Sequence, residues 1–149
     1  MRISEVMTHE VVTAAPGATL AEVGGLMRDR GVGSVVIVDG ERPVAMVTDR
    51  DLALAVAADG VDRDEPVADH ATRPLVTCDE ETDVEEAAAL MVQHRIRRLP
   101  VTGGGSPLSG IVTLDDLAVR VGDLHLAHQM TAEVARAAVP EFFFHQRGG

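Results

Sequence analysis

The chain carries one four-residue box twice, as Thr48-Asp49-Arg50-Asp51 and Thr113-Leu114-Asp115-Asp116. In each, a hydroxyl precedes a carboxylate by three positions and an apolar run follows. Two kinds of chemistry fit that spacing. An ionised carboxylate accepts two O–H donors at once, and hydrogen bonds to a charged acceptor are the stronger kind. A threonine at the start of a helix adds its hydroxyl where free backbone N–H groups already favour anions. The same spacing is also a plain helix N-cap with an acid in the first turn, which needs no ligand. The two roles are compatible, because threonine can cap while aspartate points into a cleft.

Other constellations offer less. His125-x-x-His128 has a one-turn spacing suited to a shared metal, but no cysteine or carboxylate completes a set nearby, so two solvated histidines are expected and no metal site. Cys78 is followed by Asp79, Glu80 and Glu81, a setting that disfavours the thiolate. Asp115 and Asp116 are adjacent, and adjacent residues on a helix point apart. There is no Ser-His-Asp order, P-loop or dinucleotide fingerprint. The residues therefore predict no catalysis: the chain is read as not an enzyme.

The boxes close two copies of one pattern, residues 3–58 and 67–122. Thr8 matches Thr72, Thr13 matches Thr77 and Met27 matches Met91 at one offset (72 − 8 = 64), which becomes 65 after Gly103-Gly104-Gly105. Each copy opens with a turn-like segment, Ile3–Thr8 or Val67–Thr72. An extended piece follows, Val11–Thr13 or Leu75–Thr77. Thr19-Leu20-Ala21-Glu22 is a capping box, and Asp83-Val84-Glu85-Glu86 places the same chemistry in the second copy. Leu20, Val23, Leu26 and Met27 recur at helical spacing, as do Val84, Ala87, Ala88 and Met91. Gly31 and Gly33 end the first helix. Strands are expected at 34–38 and 44–47, then at 98–101 and 110–112, with short helices at 51–56 and 116–119. The unit is β-α-β-β-α used twice, an α/β (α+β) chain. Residues 59–66 read as a polar linker. Over 123–149, Leu126, Met130 and Val134 predict an amphipathic C-terminal helix at 124–138, ended by Pro140, before the aromatic Phe142-Phe143-Phe144. Three fates are open to that tail: docking on its own domain, crossing to a second subunit, or disorder. A repeat of this length marks supersecondary units that bury their apolar faces together and leave related clefts.

Bulk properties narrow the function. At 149 residues and 46% apolar, the chain forms one compact domain or two half-domains sharing a core. A net charge of −11 argues against nucleic-acid and anionic-membrane partners, though not against a small anionic ligand. One cysteine allows no intrachain disulfide, and the N-terminus lacks a signal-like apolar stretch. No apolar run approaches the roughly 20 residues of a membrane span. A cytoplasmic location is expected.

The order of these elements resembles the cystathionine-β-synthase (CBS) domain family, as a stand-alone tandem pair. The resemblance rests on Val6-Met7-Thr8, the Thr13 and Thr77 positions, Arg97-Arg98-Leu99-Pro100-Val101 and both Thr-x-x-Asp boxes. Short bacterial pairs of the hypoxic-response type look most similar in layout. The resemblance implies a pseudo-two-fold disc with two clefts, adenosine ligands (AMP, ADP, ATP or S-adenosylmethionine) and association as homodimers. It implies that Asp51 takes the ribose hydroxyls with Thr48 beside ribose or phosphate. By family geometry, the residues before the Pro-Val of one repeat face the ligand held by the box of the other. Arg97 and Arg98 then serve the phosphates of the Thr48–Asp51 ligand, or else form an exposed pair that offsets local acidity. His94 and Arg95 stand beside them and fit either a contributing or a solvated role. The second cleft, with Thr113 and Asp116, faces uncharged Gly33 and Ser34 and is expected to be weaker; Ser34-Val35 is read as standing where the second copy has Leu-Pro. His9 and Val11 are candidates for the adenine.

The reading is a non-enzymatic sensor that binds an adenosine ligand, uses no cofactor and signals occupancy to a protein partner in trans. The alternatives are a ligand-free structural or dimerisation scaffold and a histidine-based metal-binding protein.

Overall fold

The computed structural model describes residues 1–73 and 75–120. The expected C-terminal helix, His125, His128 and Phe142–Phe144 lie outside the described residues. The chain divides into two compact units, one of residues 10–75 with 105–108, the other of 1–9, 76–104 and the chain from 109. The first repeat supplies β1 (Thr13–Ala14), α1 (Leu20–Arg30), β2 (Ser34–Asp39), β3 (Arg42–Thr48) and α2 (Asp49–Ala53). The second supplies β4 (Cys78–Asp79), α3 (Val84–His94), β5 (Arg98–Gly103), β6 (Ser106–Thr113) and α4 (Leu114–Arg120). Each repeat thus has the β-α-β-β-α order, with three-stranded sheets β1-β2-β3 and β4-β5-β6.

The helices start and stop for identifiable reasons. Thr19 caps α1 as the sequence requires: the Glu22 N–H donates to Thr19 Oγ1 (3.1 Å) and the Thr19 N–H donates to Glu22 Oε2 (3.0 Å). Leu20, Val23 and Met27 then fall on one buried stripe, with Leu26 half-buried beside it. Gly31, in the left-handed region at φ 65°, ends the helix. The second copy departs from this at its start. Asp83 makes no side-chain cap, so the expected capping box is absent. Its carboxylate lies instead 3.7 Å from the Met1 amino group, and the first N–H of α3, from Val84, donates to the Met1 carbonyl (3.0 Å).

The first strand of each repeat sits later than the apolar residues suggest, over 13–14 rather than 11–13 and over 78–79 rather than 75–77. Only a residue that meets a ladder partner becomes strand. In the first repeat Thr13 pairs with Val36, whose N–H donates to Val12 (3.0 Å). The same place in β5 is Pro100, which has no N–H to give. The second ladder therefore begins one residue further along, at Cys78 with Val101. β3, β6 and both closing helices are longer or earlier than expected. α2 begins at Asp49, directly after Thr48, and runs on into a π turn over Leu54–Ala58.

Each core is completed by a segment that belongs, in sequence, to the other repeat. Ile3, Val6 and Met7 are buried with α3, β5 and α4 residues such as Met91, Leu99, Val112 and Leu117. Val67 is buried with Leu20, Val23, Val35, Ile37 and Val47, and Ala71 packs against the same cluster. The hydrogen bonds repeat as closely as the packing. The Ile3 N–H donates to the Thr82 carbonyl (2.8 Å), and the Val67 N–H donates to that of Ala18 (2.7 Å). Thr8 and Ile111 exchange two backbone bonds of 2.9 Å, and Thr72 and Met46 exchange bonds of 2.8 and 3.4 Å. Burying Ile3, Val6 and Met7 contributes roughly 5–9 kcal/mol before ordering entropy is subtracted. That is comparable with the whole net stability of an ordinary domain, about 5–15 kcal/mol.

The one difference between the two exchanges has a steric cause. A Cβ on Gly110 would lie 2.7 Å from the Thr8 carbonyl oxygen and 2.8 Å from Met7 Sδ. The first repeat has Ala45 at that position, and there the matching bond is 3.4 Å rather than 2.9 Å. The methyl group holds the segment off. Gly110→Ala is therefore expected to lower unfolding free energy by about 1–3 kcal/mol, the usual range for overpacking, as read by urea denaturation. The unequal caps give a second comparison in the same assay. Thr19→Ala should cost about 1 kcal/mol. Asp83→Ala, which loses only an exposed ion pair, should cost under about 0.5 kcal/mol.

Candidate functional site

Both boxes are helix caps with the same geometry. At the end of β3, the Asp51 N–H donates to Thr48 Oγ1 (3.2 Å) and the Thr48 N–H donates to Asp51 Oδ2 (2.9 Å). At the end of β6, the Asp116 N–H donates to Thr113 Oγ1 (3.1 Å) and the Thr113 N–H donates to Asp116 Oδ2 (3.0 Å). The local sequence dictates this. A strand that stops at threonine leaves the first N–H groups of the next helix without partners, and the reciprocal pair satisfies two of them. All four residues are half-buried.

The cap uses one carboxylate oxygen in each box. Oδ1 of Asp51 and Oδ1 of Asp116 make no hydrogen bond or ion pair among the described residues. Each aspartate is thus held in one orientation by Oδ2 while Oδ1, and the second lone pair of Oδ2, are free to accept donors. Asp49, Arg50 and Asp115 are exposed.

The remaining sequence candidates are distributed as follows. Thr48, Asp51 and Val11 belong to the unit of residues 10–75; His9, Arg97, Arg98, Thr113 and Asp116 belong to the other. His9 is exposed and Val11 half-buried. Arg97 is exposed and Arg98 half-buried, and neither has an ion-pair partner among the described residues. The Arg97 carbonyl accepts from the Leu114 N–H (2.9 Å), as the Gly33 carbonyl accepts from that of Asp49 (3.0 Å). These paired bonds make Gly33 and Ser34 the counterparts of Arg97 and Arg98. They also correct the alignment of the following pair: Val35-Val36, not Ser34-Val35, stands where the second copy has Leu99-Pro100.

Sequence reasoning gave no particular weight to Arg95. It is the C-cap of α3, at φ 56° and ψ 42°, and the one non-glycine residue with positive φ among those described. The signal was available: the offset of 64 pairs it with Gly31, which takes the same conformation. Among the described residues no group of three or more His, Cys, Asp or Glu is placed to hold a metal ion. No helix among them is long and apolar enough to cross a membrane.

Comparison with known proteins agrees with this architecture. The CBS domain family model matches residues 3–58 and again 67–123. The CBS domain-containing protein YhcV of Bacillus subtilis is 37% identical, over 92% of this chain and 91% of its own. An uncharacterized protein of Methanopyrus kandleri, MK0525, is 40% identical over 77% of this chain, which spans 60% of that relative's length. Among solved structures, the CBS domain protein PAE2072 of Pyrobaculum aerophilum, complexed with AMP, is 31% identical with a TM-score of 0.75, over 86% of this chain and 99% of that one. Hypoxic Response Protein I, solved with two coordinated zinc ions, is 28% identical with a TM-score of 0.72, over 80% and 98%.

Cys78 is buried at the start of β4, and its thiol is pushed up to about 11, first by burial and then by the charges of Asp79 and Glu86. Folding therefore favours the protonated thiol. The stability this gives is complete below the ordinary value of 9.0 and is lost as pH rises toward about 11. Denaturation followed from pH 8 to pH 11 should show a decline in the wild type that is smaller in Cys78→Ala. Alkylation of the native protein near neutral pH should be slow and should accelerate on unfolding.

Proposed function

Because the chain belongs to the CBS domain family, we propose that it is a non-enzymatic regulatory module that binds an adenosine ligand and passes its occupancy to a protein partner in trans. The observation that carries this is the state of Asp51. A half-buried carboxylate is fixed through one oxygen by its own helix and keeps the other without a protein partner. Two vicinal hydroxyls, as on a ribose, are the donors that such an acceptor matches. The AMP complex of a relative 31% identical supports the ligand class. In this reading Thr48 and Asp51 take the ribose and Arg97 and Arg98 take the phosphates. His9 and Val11 approach the adenine. Thr113 and Asp116 form a second, weaker site, whose counterpart residues Gly33 and Ser34 carry no charge. AMP, ADP, ATP and S-adenosylmethionine are the candidate ligands. The chain acts as a cytoplasmic homodimer. Ligand changes what the partner meets by shifting the population of two states, and no further than its differential affinity for them.

One observation favours a second reading, a scaffold without ligand: both boxes are fully accounted for as helix caps. The same experiment separates the two. Asp51→Asn keeps an oxygen that can accept from the Thr48 N–H but removes the charge, so the cap survives and the charge-assisted bonds do not. Calorimetric titration of the four ligands into protein freed of carried-over nucleotide should give saturable binding. Asp51→Asn should weaken it by about 1.5–3 kcal/mol with little change in melting temperature. Absence of binding by every ligand, or binding unchanged in the variant, favours the scaffold.

A further inference from the structure

We infer that α2, the helix that carries Asp51, is the moving part of this fold, whereas α4, its counterpart carrying Asp116, is fixed. A ligand at Asp51 then has to hold α2 in place, and the ordering of α2 is what makes occupancy visible outside the site. The asymmetry rests on the fold alone; only its coupling to a ligand rests on the reading above. The first support is how the two closing helices are anchored. α4 buries Leu114 and Leu117 in the core of its unit, at 2% and 1% exposure. At the position of Leu114 the first repeat has Asp49, which is exposed, and at that of Leu117 it has Leu52, only half-buried. α2 itself contains no buried residue. Its firm attachment comes after it, at Ala55, inside the π turn that follows. A five-residue helix has no stability of its own. Few buried apolar contacts are the physical mark of a segment that opens locally.

The second support lies on the helix that faces α2. α1 carries Gly24 and Gly25 in its middle, where α3 has Ala88 and Ala89. Neither glycine is in the left-handed region, so the backbone does not call for them. Nor does space. A Cβ at Gly24 would lie 3.8 Å from Leu52 Cδ1, and one at Gly25 would lie 3.9 Å from Nη2 of the exposed Arg28, both ordinary contact distances. Each glycine in the middle of a helix disfavours it about fivefold relative to alanine. Leu52 is the side chain that faces Gly24, so the missing methyl group also leaves that leucine less to pack against. The matching pair, Ala88 and Leu117, is buried in one core. The first repeat therefore keeps two residues that weaken α1 and its hold on α2, with no dihedral angle or clash that demands them. Elements that move on binding are drawn from the least stable part of a fold, and this helix pair has that character.

The test is hydrogen exchange of the full chain, read residue by residue by NMR and corrected for residue type. In wild type the amides of residues 24–28 and 52–54 should exchange about tenfold or more faster than their counterparts, 88–92 and 117–119. Replacing both glycines, Gly24→Ala with Gly25→Ala, should slow exchange about tenfold in α1 and also in α2, which neither substitution touches in sequence. Equal protection of α2 and α4 in wild type, or α2 exchange unchanged in the double variant, overturns the proposal. AMP, ADP, ATP and S-adenosylmethionine are then the probes of coupling. One that binds in calorimetric titration, added at about a hundred times its Kd, should slow α2 exchange about a hundredfold, because only the ordered helix keeps Asp51 in place. Binding that Asp51→Asn weakens, but that leaves α2 exchange unchanged, overturns the proposal as well. Failure of the ligand reading looks different. No binding by any of the four, or binding untouched by Asp51→Asn, removes the coupling, while faster exchange in α2 than in α4 still keeps the asymmetry.

Discussion

Both units depend on burial of a short opening segment that the sequence assigns to the other repeat. Ile3, Val6 and Met7 complete the core around Met91 and Leu99, and Val67 completes the core around Val23 and Ile37. Neither repeat, taken as a continuous stretch, contains the whole of its core. The exchange also places polar groups. The Met1 carbonyl receives the first N–H of α3, and the Glu65 and Arg63 carbonyls receive those of Leu20 and Ala21 at the start of α1 (3.1 and 2.9 Å). The helix that each segment caps is the helix against whose core it packs. Losing the segment would thus remove apolar contacts and leave helix-end donors unpaired in one event, which makes the exchange cooperative.

That cooperativity bears on the boxes. A carboxylate at the start of a short helix is useful to a ligand only if the helix itself does not move. α2 has five residues, too short to be stable alone, and α4 has seven among the described residues. Leu114 and Leu117 of α4 are buried in the core that Ile3 and Met7 complete, and Ala55, just past α2, is buried with Val67. The opening segments therefore hold the closing helices, and the closing helices hold Asp51 and Asp116. Capping uses only part of what each carboxylate can accept. Oδ2 sets its direction, and Oδ1 has no hydrogen-bond or ion-pair partner among the described residues.

Much of this was legible in residue order. The duplication, the β-α-β-β-α unit, the Thr19 cap and the buried stripes of α1 and α3 all follow from spacing, because helix periodicity and capping are local. What sequence left out is non-local or depends on a missing group. Nothing in Ile3-Ser4-Glu5-Val6-Met7 says which repeat will bury it. Pro100 was in plain view, yet its effect falls on the distant residues 77 and 78, which must wait one position for a partner with an N–H. Asp83 matches Thr19 in place and in capping chemistry but was drawn to an amino group that only the exchange brings near. Of the boxes, the Thr-to-Asp reciprocity was readable; the division of labour between the two carboxylate oxygens was not.

The two repeats also show where a duplicated fold is free to diverge. Positions whose backbone is tightly engaged differ little in geometry even where the residue changes: Ala45 and Gly110 both admit the opening segment, at a difference of half an ångström in one bond. Positions whose side chains leave the fold differ most, and the α3–β5 turn is the extreme case. There the divergence runs against local stability, since arginine at φ 56° replaces a residue type that tolerates that angle without strain.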